Sequence, residues 1–184
     1  MAGDIMVKRK KEESEQTTSE PHEEEHKSEF DVHDKSGTSK ADFYAQLLKE
    51  VDSVIGTETD LIANTANLSS LIFHGLNQRT AAAKINWAGF YFMRPKADTR
   101  ELVLGPFQGQ IACIRIAIGR GVCGACVKNA TTMVGDKEIC IGVLDIDSAA
   151  LNTFDEEDQK GLEVIIKTLV ESKTDFTSLT DPLK

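Results

Sequence analysis

The chain has 184 residues, 40% of them hydrophobic, four cysteines and a formal net charge of −9. The acidic balance speaks against a general affinity for nucleic-acid phosphates. With no run of 18 apolar residues and no apolar segment behind the N-terminus, neither a transmembrane helix nor a signal peptide is read.

Residues 1–38 are rich in charge, Ser and Thr and show no apolar period, so a disordered tail is expected. Within it Lys8-Arg9-Lys10-Lys11 has the composition of a nuclear-import patch and equally that of a solvated charge run. His22-Glu23-Glu24-Glu25-His26 spells the zinc-protease pattern. Two imidazoles one helical turn apart chelate Zn²⁺ only on an ordered helix, and the flanking residues supply no apolar face, so no metal site is assigned.

From Ser39 the pattern changes. Phe43, Leu47, Leu48, Val51, Val54 and Ile55 recur at helical spacing and Gly56 ends the run, predicting a helix over 39–55. A second helix is predicted over 60–83, with Leu61, Leu68, Leu71, Ile72 and Leu76 as its core positions and His74 as a half-buried structural residue. Asn86–Met93 and Glu101–Phe107 read as the strands of a hairpin turning at 95–99, and Ile111–Ile118 as a third strand. A short helix follows over 122–129, a stub over 131–134, and a buried strand over 138–147 that is apolar on both faces until its acidic end. Thr153–Phe176 is the clearest helix, with Thr153 and Glu156 at capping-box spacing and Leu162, Ile165, Ile166, Leu169 and Val170 as its stripe. The fold class is α+β: helices from both ends of a domain spanning 39–176 pack on one face of a sheet, and 177–184 form a C-terminal tail.

The chemistry concentrates between Gly109 and Ser148. Four cysteines in a short chain of this type fit the cytoplasm, where thiols are free or catalytic, with the nucleus left open by the basic run. Gly119-Arg120-Gly121-Val122-Cys123-Gly124 matches G-x-G-x-x-G and precedes an acid, Asp145, at the distance a dinucleotide fold uses. Against that reading, the crossover helix is short and only 37 residues follow Asp147, too few for the remaining βα units. Cys123 and Cys126 form a C-x-x-C at a helix start, where the dipole favours thiolate. Cys126 reads as a small buried helix residue; for Cys123 a reactive thiol and a buried one both remain open. Cys140, in the apolar part of the last strand, is expected in the core.

The blocks NWAGFYF, LVLGPFQGQIACIRIAIGRGVCG and IGVLDIDSAALNTFDEEDQKGLE resemble the free methionine-(R)-sulfoxide reductases, which are GAF-domain proteins. The resemblance spans most of 39–170. It implies a GAF-like fold, a mostly antiparallel sheet flanked by N- and C-terminal helices, and reduction of free methionine-(R)-sulfoxide by thiols. In that chemistry a thiolate is oxidised to a sulfenic acid, a second cysteine condenses with it, and thioredoxin, fed by NADPH, reduces the disulfide. No bound cofactor or metal is implied; a homodimer is left open.

By resemblance Cys113 is the resolving thiol and Cys123 an auxiliary one. Trp87 and Tyr91 form the aromatic pocket wall, and Asp145 with Asp147 is the acid pair that binds the ammonium or protonates the sulfoxide oxygen. The family's block with the attacking cysteine, a ligand-binding glutamate and one sheet strand has no match: the connection here is only Ala125–Cys140, with Met133–Asp136 at its junction. The attacking cysteine is therefore unassigned and one internal strand is expected to be missing. The alternative reading is a catalytically inactive GAF module that binds a small ligand or a partner.

Overall fold

The computed structural model describes residues 3–10, 36–80, 82–96, 99–130 and 138–180. In chain order the elements are β1 (Gly3–Lys10), α1 (Lys40–Ile55), α2 (Leu61–Arg79), β2 (Ile85–Lys96), β3 (Thr99–Gly109), β4 (Arg115–Ala117), α3 (Gly121–Ala130), β5 (Glu138–Ser148), α4 (Glu156–Glu171) and the single turn α5 (Thr177–Thr180).

The strands form one antiparallel sheet in the order β1-β5-β2-β3-β4. The expected hairpin is β2–β3, paired from Trp87↔Gly109 to Lys96↔Thr99. The last expected strand, β5, lies inside the sheet between β1 and β2. Because side chains alternate across a strand, β2 and β5 serve two cores. Ala88, Phe90 and Phe92 with Ile141, Leu144 and Ile146 point to the face covered by α1, α2 and α4. Trp87, Tyr91 and Met93 with Cys140 and Val143 point to the other face, where Cys123 and Val127 of α3 join them. The pairing of β5 with β1 slips at Val7/Lys8, opposite Gly142 and Cys140. The slip is a bulge, and it lets Cys140 stay on the α3 face beside Val143.

Helix starts follow side-chain chemistry. Ser39 caps α1 by accepting the Asp42 N–H, and Asp60 caps α2 by accepting the Ala63 N–H. For α4 the expected box of Thr153 and Glu156 is corrected. Asp155 is the cap, its carboxylate accepts the N–H groups of Glu157 and Asp158, and the Asp158 carboxylate accepts the Asp155 N–H. Thr153 is drawn away because its hydroxyl bonds Ser148 and the Ala150 carbonyl. A carboxylate makes the better cap because it accepts two donors with full charge. Asp158 is buried and also receives the Tyr44 hydroxyl at 3.0 Å and the Lys40 ammonium, which ties α4 to α1.

Three further expectations are corrected. The charged tail is not structureless throughout: residues 3–10 pair with β5 across eight positions, from Gly3↔Ile146 to Lys10↔Glu138. Lys8, Arg9 and Lys10 thus belong to a strand, while residues 11–35, with His22 and His26, lie outside the described residues, as do 131–137 with the stub and the junction. The third strand is only Arg115–Ala117, because Ile111–Ile114 form a loop. Helix α4 stops at Glu171. Beyond it Thr174 accepts a bond from Asn64, the Asp175 N–H bonds the Thr59 carbonyl, and Phe176 and Leu179 are buried, so the domain continues to α5.

The loss of an internal strand would leave the outer edge of β5 unpaired. Here β1 covers that edge, and α3 and α4 both pack against β1. The ladder groups of β5 are satisfied by a strand from the far end of the chain.

Candidate active site

Five of the six residues singled out in the sequence line one cavity of about 350 Å³: Trp87, Tyr91, Cys113, Asp145 and Asp147. It opens at one end of the sheet on the α3 face. Register explains the convergence. On β5, Asp145 and Asp147 are two apart and face the same way; across the ladder Trp87 stands opposite Asp147 and Gly89 opposite Asp145. On the other side of β2, Phe107 of β3 pairs with Gly89.

The aromatic wall is a stack. The Trp87 ring lies 5.7 Å from Tyr91 at 25° and 5.3 Å from Phe107 at 14°. The Trp87 indole N–H is buried and has no hydrogen-bond partner among the described residues. Cys113 comes from the loop between β3 and β4. Three bonds hold that loop: the Tyr91 hydroxyl donates to the Cys113 carbonyl at 3.0 Å, the Leu104 N–H donates to the Ile114 carbonyl at 2.9 Å, and Arg115 pairs with the buried Glu101. Cys113 is exposed, so its thiol is open to a ligand and to solvent.

Cys123 does not line the cavity. It is buried on α3 behind the aromatic wall, in the same cluster as Trp87, Tyr91 and Cys140. Cys126 is half-buried, and Cys140 is buried with its thiol 3.6 Å from the Gly142 carbonyl oxygen. The Tyr91 phenol reports how tightly these groups gather. Burial pushes its pKa up, and the charges of Asp145, Cys123, Cys113 and Asp147 push it further, so it remains a neutral hydrogen-bond donor. Asp147 is also raised, first by desolvation and then by Asp145. Two carboxyls this close resist ionising together.

Sequence reading missed Asn86 and Gln110, two amides that line the cavity. Asn86 precedes Trp87 and Gln110 follows the glycine at the end of β3, so each sits where a strand meets the mouth of the cavity; their positions beside identified residues were the available signal. The G-x-G-x-x-G stretch has another explanation. Gly119 and Gly121 have φ of +83° and +59°, and the Gly119 N–H bonds the Gly124 carbonyl at 2.7 Å. These glycines make a tight turn between β4 and α3 in an antiparallel sheet, where the dinucleotide fold needs parallel βαβ units. Among the described residues no group of three or more His, Cys, Asp or Glu could hold a metal ion, and no helix is long and apolar enough to cross a membrane. A second hollow of about 300 Å³ between α1 and α4 includes Asp52 and Glu171 and has no thiol.

No family model matches the chain. Individual relatives do. A free methionine-R-sulfoxide reductase of Escherichia coli strain K12 is 38% identical over 165 residues, covering 75% of this chain and 94% of the relative. The chain belongs to the free methionine-R-sulfoxide reductase family. A solved structure of the Neisseria meningitidis free methionine-R-sulfoxide reductase in complex with its substrate superposes with a TM-score of 0.62 at 32% identity, covering 75% of this chain and 92% of that one. A solved GAF domain gives 0.68 at 29% identity, covering 82% of this chain and all of that one, which shows the expected fold.

The coverage also measures what is missing. The 165 positions aligned with the Escherichia coli family member fall on 75% of 184 residues, about 138. More than two dozen alignment positions therefore have no counterpart here, in number matching the block that the sequence reading expects to be absent between Ala125 and Cys140.

Proposed function

We propose that this chain binds free methionine-(R)-sulfoxide in the cavity between Trp87, Tyr91 and the Asp145–Asp147 pair, and reduces it with Cys113 as the attacking thiol. The observation that carries the proposal is the convergence of a free thiol, an aromatic wall and two carboxyls on one cavity. The family's substrate-bound relative supports the ligand class.

The aromatic stack packs against the apolar S-methyl end. The ionised member of the acid pair draws the ammonium group, and the protonated member supplies a proton where charge develops on the sulfoxide oxygen. Asp147, held protonated to higher pH by burial and by Asp145, suits the second task. The Cys113 sulfur attacks the sulfoxide sulfur, and the oxygen ends on cysteine. The ligand sulfur gains two electrons and leaves as methionine; Cys113 loses two and becomes a sulfenic acid. Cys123 then forms a disulfide with Cys113, releasing water. An external dithiol protein, thioredoxin in this reading, returns both to thiols and leaves as its own disulfide.

This gives Cys113 a different role from the resolving one implied by resemblance. The reason is geometric: Cys113 is the cysteine lining the cavity, whereas Cys123 and Cys140 are buried. That same scarcity of cavity thiols favours the second reading, a GAF module that binds the ligand without chemistry.

The test is thioredoxin-coupled NADPH consumption with free methionine-(R)-sulfoxide, on protein that melts cooperatively. Turnover that Cys113→Ser abolishes supports the proposal. Folded protein without turnover leaves the binding module.

A further inference from the structure

Trp87 presents an unusual combination. It is 5% exposed, lines the cavity and stacks between two aromatic rings, yet its indole N–H has no acceptor among the described residues. An aromatic ring serving only as an apolar wall could be phenylalanine. A buried donor without an acceptor loses its hydration and gains nothing in exchange, a cost of about 1–3 kcal/mol. Such a group calls for an acceptor that the described residues do not supply, and a ligand entering the cavity can bring one.

The surroundings narrow the choice of acceptor. Across the ladder Trp87 faces Asp147, the carboxyl whose ionisation is resisted by burial and by Asp145. A ligand atom reaching both groups meets one N–H donor and one O–H donor. An ammonium cannot accept from either. An oxygen carrying partial negative charge can accept from both, as the oxygen of a sulfoxide does.

We infer that the Trp87 indole N–H is a specificity-determining donor that takes the oxygen of the ligand's sulfoxide, so that the cavity holds the oxidised amino acid and releases the reduced one. This rests on the reductase reading above. Reduction removes the oxygen, and methionine then leaves the Trp87 donor and the Asp147 carboxyl without their common acceptor. A site built to bond a polar group rejects the analogue that lacks it, because its own buried groups are left unpaired. The same donor polarises the S–O bond during attack, adding to the electrophilicity of the sulfur.

Trp87 is the single tryptophan of the chain, so its emission reports on this site alone. The experiment compares binding of L-methionine-(R)-sulfoxide and L-methionine by calorimetry in the unsubstituted protein and in two variants, with Trp87 fluorescence added in the unsubstituted protein. One variant carries β-(3-benzothienyl)alanine at position 87, which keeps the ring and replaces the N–H by sulfur; the other is Trp87→Phe. The expected result is a preference for the sulfoxide that falls about tenfold in both variants, the loss of one hydrogen bond, with methionine affinity little changed. In the unsubstituted protein the sulfoxide shifts Trp87 emission to the red and methionine does not. A role confined to packing would weaken both ligands alike and leave their ratio unmoved. An unchanged ratio in the benzothienyl variant, with both ligands still binding, overturns the inference and leaves the reductase reading intact. Failure of the folded, unsubstituted protein to bind either ligand overturns both.

Discussion

Replacing Gly89 with alanine should damage the site from behind the aromatic wall. A Cβ built on Gly89 stands 2.3 Å from the Phe107 Cβ, 2.7 Å from its Cα and 2.8 Å from the Pro106 carbonyl oxygen. Carbon atoms rest at about 3.5–4.0 Å, so β2 and β3 would have to part by more than about 1 Å against a normal strand spacing of about 4.8 Å. Two of the three clashing atoms are backbone, so a rotamer change cannot relieve them. Overpacking costs about 1–3 kcal/mol, and stretching two ladder bonds adds about 1 kcal/mol each, giving about 3 kcal/mol or more. Phe107 stacks on Trp87, and the Pro106 carbonyl accepts the Ser69 hydroxyl at 3.1 Å, so the shift reaches both the cavity and α2. Urea unfolding followed through Trp87 emission measures it. With an m-value of about 1–3 kcal/mol/M the midpoint should fall by about 1–3 M, and native emission should change as the stack loosens. A midpoint within about 0.2 M of the parent, with unchanged emission, would refute this account of why glycine occupies the position.

Four further outcomes follow from the same geometry. Asp158→Ala removes the acceptor of the Tyr44 hydroxyl and the Lys40 ammonium together with half of the α4 capping box, and should cost about 3–5 kcal/mol by chemical denaturation. The neighbouring Asp155 carboxyl, lowered to about 2 chiefly by its bond to Lys40, contributes stability that is complete above its unfolded value of about 3.9 and lost as pH falls through about 2; an acid titration of the melting temperature checks that window. Deleting residues 1–10 unpairs eight positions along the outer edge of β5, so exchange at residues 138–146 should accelerate and the protein should associate with rising concentration, both visible by hydrogen–deuterium exchange and light scattering. Asp147→Asn should lower turnover about a hundredfold and remove an alkaline limb, since activity carried by the protonated carboxyl declines as pH rises through its raised pKa. Ionised Asp147 opposes folding once pH passes its unfolded value, so the variant should be no less stable at neutral pH.

What the sequence made legible followed local rules. The stripes of α1 and α4 and the β2–β3 hairpin were readable because the burial that fixes them repeats at 3.6 or 2 residues. Trp87 with Tyr91, and Asp145 with Asp147, could be paired by strand alternation alone. Strand β1 could not, because its partner positions are 128–143 residues away and its short alternation around Ile5 and Val7 is embedded in a charged segment. The start of α4 was misplaced because Thr153 and Asp155 both lie at capping positions, and the tertiary bonds of Thr153 to Ser148 and Ala150 decided between them. Resemblance singled out residues of which five line one cavity, and it implied the resolving role for Cys113; the proposed attacking role rests instead on the cavity lining, which separates Cys113 from the buried Cys123. The orphaned indole N–H was invisible in sequence, since a missing partner is a property of the packed state.

The central claim is that Cys113 attacks the sulfoxide. The most direct measurement is a single turnover of fully reduced protein with free methionine-(R)-sulfoxide and no external reductant, quenched with dimedone and read by mass spectrometry, in the parent and in Cys123→Ser. The expected result is one equivalent of methionine per chain and, in Cys123→Ser, a dimedone adduct on Cys113. Methionine formed at the same rate by Cys113→Ser, with the adduct on another cysteine, would contradict it.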